Sequence, residues 1–315
     1  YMRIYLLGMP AILLCNAEAA ILRAQGDSRS PLICLTIAGA LNVLLNLAFV
    51  LCLGMDVDGV ALATLISNLA GAALLFFVLL RGHSIVCFRW HRMLFDMSLF
   101  RRIVYIGLPT GMQSAMFSLS NIVIQEAINS LGSDVIAASA AAFNIEIIVY
   151  FVVSGFGQAC TTFVGQNYGA GRLERCRRVL WTGMWQTMAI AVAVSCALLA
   201  SGKYLLAWFN ADPSVIAYGY IRLEYILWFE AIAVVIEILS GVMRGFGHSL
   251  EPAVIALLGV CGLRIIWVCT VFRTWPTFSS LMACYPVSWA AVALASAFAC
   301  HKLLRRLQSE AERKS

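Results

Sequence analysis

The sequence predicts an all-α polytopic membrane protein. Three observations carry this. Hydrophobic residues make up 62% of the chain and charged residues 12%. Mean hydropathy is +0.87. The apolar residues also come in long continuous runs, cut by short polar breaks. A soluble domain is typically about 45–50% apolar and about 25% charged. Lipid is the simpler host for such a chain, because apolar surface faces it without penalty.

A spanning helix needs about 20 mostly apolar residues. Nine such runs occur, near 2–22, 32–53, 58–80, 103–130, 134–158, 178–201, 214–243, 252–272 and 279–302. They are continuous and not alternating, which argues against a β-barrel. Connections on one side collect 17 of the 22 Lys and Arg residues. The positive-inside rule then places the C-terminus in the cytoplasm of a plasma (inner) membrane. That asymmetry accounts for the net charge of +6, so no nucleic-acid partner is expected. Nine spans would leave Tyr1 outside. No signal peptide precedes it, so further upstream spans are expected.

The eleven cysteines form no CxxC pair, and most lie in apolar runs. They read as small packing residues. The four histidines are scattered near polar connections, so neither a metal site nor a cofactor is expected.

Two segments match each other. Tyr1-Met2-Arg3-Ile4, then Arg23 to Ser28, then Pro31 parallels Tyr220-Ile221-Arg222-Leu223, then Arg244 to Ser249, then Pro252. The R-x-x-G-x-S-x-x-P spacing is the same in both, and the helix before it differs by two residues. Each match reads as a helix end, a Gly turn and a helix restarting near Pro. Parallel repeats mark transporters with a cavity between halves. The count divides the chain into 1–80, the last three helices of one bundle; 81–102, a cytoplasmic linker; 103–302, a six-helix bundle; and 303–315, a cytoplasmic tail. In the linker, Trp90, Phe95 and Leu99 among basic residues suit an anionic membrane surface.

Several segments resemble the multidrug and toxic compound extrusion (MATE) family. They are the Tyr1 to Ile4 segment, Leu22 to Pro31 followed by Leu41-Asn42 and Leu45-Asn46, Gly59 to Thr64, Ile106 to Pro109, Val164 to Gly171 and Met243 to Ser249. The resemblance implies twelve helices in two six-helix bundles, of which this chain would hold the fourth to the twelfth. It also implies export of cationic or amphipathic small molecules, drugs included, against Na⁺ or H⁺ entry. Family members of the best-studied type carry a glutamate where Phe117 stands here, so the family's ion site does not transfer directly.

Carboxylates in hydrocarbon are costly and tend to be functional. Glu146 lies about 12 residues into its run, near the bilayer centre. It is a candidate ligand for the coupling cation or a cationic substrate, or a helix–helix hydrogen bond. Gln113, Asn121, Gln125 and Asn129 follow one slowly turning helix face, expected to line a cavity, with Glu126 beside them near the outer end. Glu230 and Glu237 are seven residues apart and share a face. Glu18 matches Glu237 if the two-residue insertion falls after it. Arg264, deep in its span, needs a partner, and one of these carboxylates is expected. Gly165 to Gly171 lacks the G-K-[ST] ending of a phosphate loop and reads as a turn, so the energy must come from an ion gradient. A monomer is expected. The alternatives are a lipid-linked precursor or polysaccharide flippase of the same superfamily, or a membrane-embedded enzyme. The flippase would need a larger basic cavity, and the enzyme a His/Asp or Cys/His set that the chain does not show.

Overall fold

A computed structural model of the protein describes residues 2–81 and 95–313. These form two units, residues 1–95 and 96–315. Most of the linker expected at 81–102 falls on residues 82–94, outside the described residues.

The first unit has three helices. They are α1 (Met2–Ala24), α2 (Arg29–Leu47), which continues as a π-helical turn (Ala48–Cys52), and α3 (Val57–Arg81). Their shared core is small, built from Cys15, Ala19, Leu22, Cys34, Ala72, Leu75 and Leu79. A polar chain crosses it. Asn46 donates to Asn42, and Asn42 donates to Ser67 Oγ, both at 3.1 Å.

The second unit opens with α4 (Met97–Asn129), α5 (Ser133–Gly169) and α6 (Leu173–Phe209). Asp96 caps α4, accepting from the Ser98 hydroxyl and from the backbone N–H groups of Ser98 and Leu99; these donors, the hydroxyl first, hold its exposed carboxyl below the usual range. Next come α7 (Pro213–Leu227) and α8 (Glu230–Gly245), bent by 45° to each other. The run 250–272 alternates between α and π geometry. It holds α9 (Leu250–Ala256), a π segment (Leu257–Gly262), α10 (Leu263–Trp267) and a second π segment (Val268–Phe272). The unit closes with α11 (Phe278–Met282) and α12 (Cys284–Glu312).

Among the described residues, seven helices are long and apolar enough to span a membrane, eight if the bent pair counts as one span. Each of the nine expected runs lies on helix. The run at 103–130 does become helix α4, but its stripe of Gln, Asn and Ser dilutes the apolar character. Side chains such as Leu51, Trp208, Leu294 and Phe298 are more than 70% exposed. Large apolar groups left exposed on the helices of each unit suit a lipid surround.

The two repeat turns share one geometry. Gly26 and Gly247 have positive φ, 92° and 85°. In the first turn Asp27 N–H donates to Leu22 O, and in the second His248 N–H donates to Met243 O. Both close a helix in the Schellman manner, which needs a left-handed residue that glycine supplies without strain. Pro31 and Pro252 follow, and both are buried.

The segment Gly165 to Gly171 forms the end of α5 and the turn to α6. Gly171 has φ 71°, and Arg172 N–H donates to Asn167 O at 2.8 Å.

Candidate functional site

The site is anchored on α5, and small residues let α8 approach it. A Cβ on Gly241 would stand 2.5 Å from Gly157 O, and one on Gly245 would stand 2.8 Å from Thr161 O. Thr161 Oγ1 donates to Gly241 O at 2.9 Å and also reaches Gly157 O within its own helix. Such close backbone approach is the usual way helices associate without a hydrophobic drive between them.

Glu146 stands higher on α5. Its carboxylate accepts two bonds from Arg222 of α7: Nε to Oε2 at 3.1 Å and Nη2 to Oε1 at 2.6 Å. The side chains are 7% and 10% exposed for Arg222 and Glu146. A forked guanidinium matches a carboxylate in this geometry, and each charge would be costly alone.

Glu230 is the first residue of α8, just past the bend. It is 7% exposed and lies within electrostatic range of Glu146. Its carboxylate forms no hydrogen bond or ion pair among the described residues. The helix break places it at a half-helix N-terminus, where backbone N–H groups favour negative charge. The cluster therefore holds two carboxylates and one guanidinium.

The structure brings Glu146 and Glu230 together and adds Arg222, which the sequence reading left among the scattered basic residues. The remaining candidates fall elsewhere. Glu237 pairs with Arg244 at 2.9 Å and packs against Gly157, two helical turns from Glu230. Gln125 donates to Asn129 at 2.9 Å. Asn121, Gln125 and Glu126 are exposed and Gln113 is half-buried. Glu18 is 3% exposed, and neither of its oxygens has a hydrogen-bond partner.

Arg264 corrects an expectation. Its neighbour is not a carboxylate. Its guanidinium lies over the Tyr285 ring, 4.2 Å from the centroid, and Nε reaches Ser288 Oγ at 3.4 Å. Of the carboxylates that sequence offered it, Glu237 is held by Arg244 and Glu230 lies near Glu146. The Glu146–Arg222 pair was hidden from sequence reasoning, because the two are 76 residues apart.

A family model described as MatE matches residues 109–270, just over half of the chain. The chain belongs to the MatE family. Its first 131 residues also match the model described as lipid II flippase MurJ. One relative of this MatE protein is a probable multidrug resistance protein NorM of Thermotoga maritima, 25% identical over 84% of this chain and 58% of that protein. Another is an FAD transporter of Shewanella oneidensis, 25% identical over 69% of this chain and 49% of that protein. The chain thus spans about half to three-fifths of the length of these relatives. A crystal structure of MATE in complex with MaL6 superposes with TM-score 0.92 at 17% identity, covering 98% of this chain and 70% of that one. That likeness establishes the fold. The relatives are transporters, and the multi-pass helical membrane body fits them.

Proposed function

We propose that this MatE protein is a secondary active exporter of amphipathic small molecules, drugs included, driven by inward flow of Na⁺ or H⁺. The observation that carries the reading is the set of Glu146, Arg222 and Glu230. Arg222 is engaged by Glu146, while the buried Glu230 has no cation against it among the described residues. A buried charge without a partner is costly, so the set is completed by one cation beside Glu230. When that cation leaves, Glu230 competes with Glu146 for Arg222, which sits on the other side of the bend. Ion occupancy is thereby tied to the position of α7. The named relatives support drug export, and one of them extends the range to a dinucleotide.

The test is ethidium efflux from inverted vesicles under an imposed Na⁺ or pH gradient. Efflux is expected to follow one of the two gradients, and Glu230→Gln is expected to uncouple it while the protein stays in the membrane. Efflux that ignores both gradients rejects the proposal.

In the same reading the C-terminus faces the cytoplasm. With the native cysteines removed, a cysteine at Arg172 is expected to react only with cytoplasmic thiol reagents, and one at Asp212 only from outside. Both positions lie at exposed helix ends. Reversed labelling rejects the orientation.

A further inference from the structure

The second unit buries a guanidinium that no carboxylate neutralises. Arg264 is 4% exposed. It forms no ion pair among the described residues, and its only hydrogen bond is the long one from Nε to Ser288. Its terminal amino groups, the face of the fork that normally grips an oxyanion, donate to no acceptor among the described residues. The hydroxyl of Tyr285, whose ring lies under the guanidinium, is likewise without a hydrogen bond among the described residues. Arg222 lies within electrostatic range of the same tyrosine and of Cys284. Its charge is already offset by Glu146. Of the two guanidiniums near Tyr285, only Arg264 is without a carboxylate against it among the described residues.

The backbone at this point is unusual. Arg264 sits in α10, a five-residue α turn between two π-helical segments. Single π insertions inside α-helices occur often at functional sites, where they re-aim side chains. The fold itself does not require a cation here. In the register that aligns Pro31 with Pro252, Arg264 falls level with Val43 in the first unit. Val43 is 58% exposed, and its helix carries a π segment only at its end. A side chain that breaks the repeat, is desolvated and has unused donors points to a ligand.

We propose that Arg264 and the Tyr285 hydroxyl receive an oxyanion, a carboxylate or phosphate, carried by an amphipathic organic molecule. Arginine suits this role through its planar fork, and the tyrosine ring under the guanidinium holds that fork in one orientation. The inference rests on the exporter reading and deepens it, because it extends the substrates to anionic and zwitterionic compounds. A lipid headgroup phosphate offers the same chemistry and is the other possible source of the anion.

The test measures binding, so that it stands apart from transport. The purified protein in phosphatidylcholine nanodiscs is titrated against carboxyfluorescein and against rhodamine 6G by fluorescence anisotropy. Carboxyfluorescein is expected to bind the wild type and to be displaced by benzoate and by inorganic phosphate, but not by tetramethylammonium. Arg264→Met is expected to raise the Kd for carboxyfluorescein tenfold or more and to change that for rhodamine 6G less than twofold. Tyr285→Phe, which keeps the ring, is expected to raise the carboxyfluorescein Kd about threefold. Adding phosphatidylglycerol to the discs separates the sources. If it weakens dye binding to the wild type but not to Arg264→Met, the headgroup is an occupant of the site; if it changes neither, the anion comes from a soluble molecule. Absence of carboxyfluorescein binding, no displacement by the anions, or equal loss of both dyes in a folded Arg264→Met protein overturns the proposal. The displacement result on the wild type decides the matter even if the variant fails to fold. Gradient-independent ethidium efflux alongside intact Arg264-dependent binding would reject the exporter reading alone.

Discussion

Replacing Glu146 by glutamine is expected to reduce ion-driven efflux to the level of the empty vector. Glutamine keeps the shape of the side chain and one acceptor for Arg222, but removes the charge. With Glu146 neutral, Arg222 and Glu230 are the two remaining charges of the set, and they sit on opposite sides of the bend. The set is then neutral without any bound cation, so nothing draws an ion in. Protein abundance is expected to stay near normal, because the arginine retains a hydrogen-bond acceptor at position 146. Efflux under an imposed gradient and immunodetection in membranes check the two halves. Undiminished transport would reject a coupling role, and loss of abundance in step with transport would make the pair structural.

Arg222→Met should be the more damaging change. It strands two carboxylates in a buried place. Removing one partner of a buried pair typically costs about 3–5 kcal/mol, a large share of the roughly 5–15 kcal/mol that holds a domain together. The expected outcome is a steep drop in membrane abundance and in thermal stability in detergent. The double variant Glu146→Gln with Arg222→Met removes both halves of the pair, so it is expected to recover most of the abundance but none of the transport. If the double variant is as unstable as Arg222→Met alone, the energetic role assigned to the pair is wrong.

Much of the fold was legible because lipid imposes simple rules. Long apolar runs became helices, and the repeated Gly-containing motifs became two turns of the same hydrogen-bond pattern. The bend at Trp228–Phe229 was not legible. The run 214–243 is long enough and apolar enough to read as one helix, and no proline or glycine marks the break. The helix Met97–Asn129 was read as a span because of its length, although its polar stripe sets it apart from the seven others. The site was legible in part. Glu146 and Glu230 stood out as carboxylates in hydrocarbon. Arg222 did not, because the repeat gave it a counterpart in Arg3 and so made it look like a motif residue. Arg264 was noticed for its depth, but charge alone cannot name a partner, and a tyrosine ring is as good a neighbour for a guanidinium as the sequence could hide.

The close crossing of α5 and α8 has a mechanical consequence. Below the bend, Gly157, Thr161, Gly241 and Gly245 clamp α8 to α5 backbone against backbone, a joint that cannot slide without breaking contact along its whole length. Above the bend, α7 is tied to the same rod at its outer end, where Ser214 Oγ donates to Asp134, and nearer the bend by Arg222 and Glu146. The turn at Trp228–Phe229 lies between this side-chain fastening and the backbone clamp below. A change in charge at the pair is therefore expected to be felt first as a change of angle at that turn, with α5 and the lower half-helix as the frame.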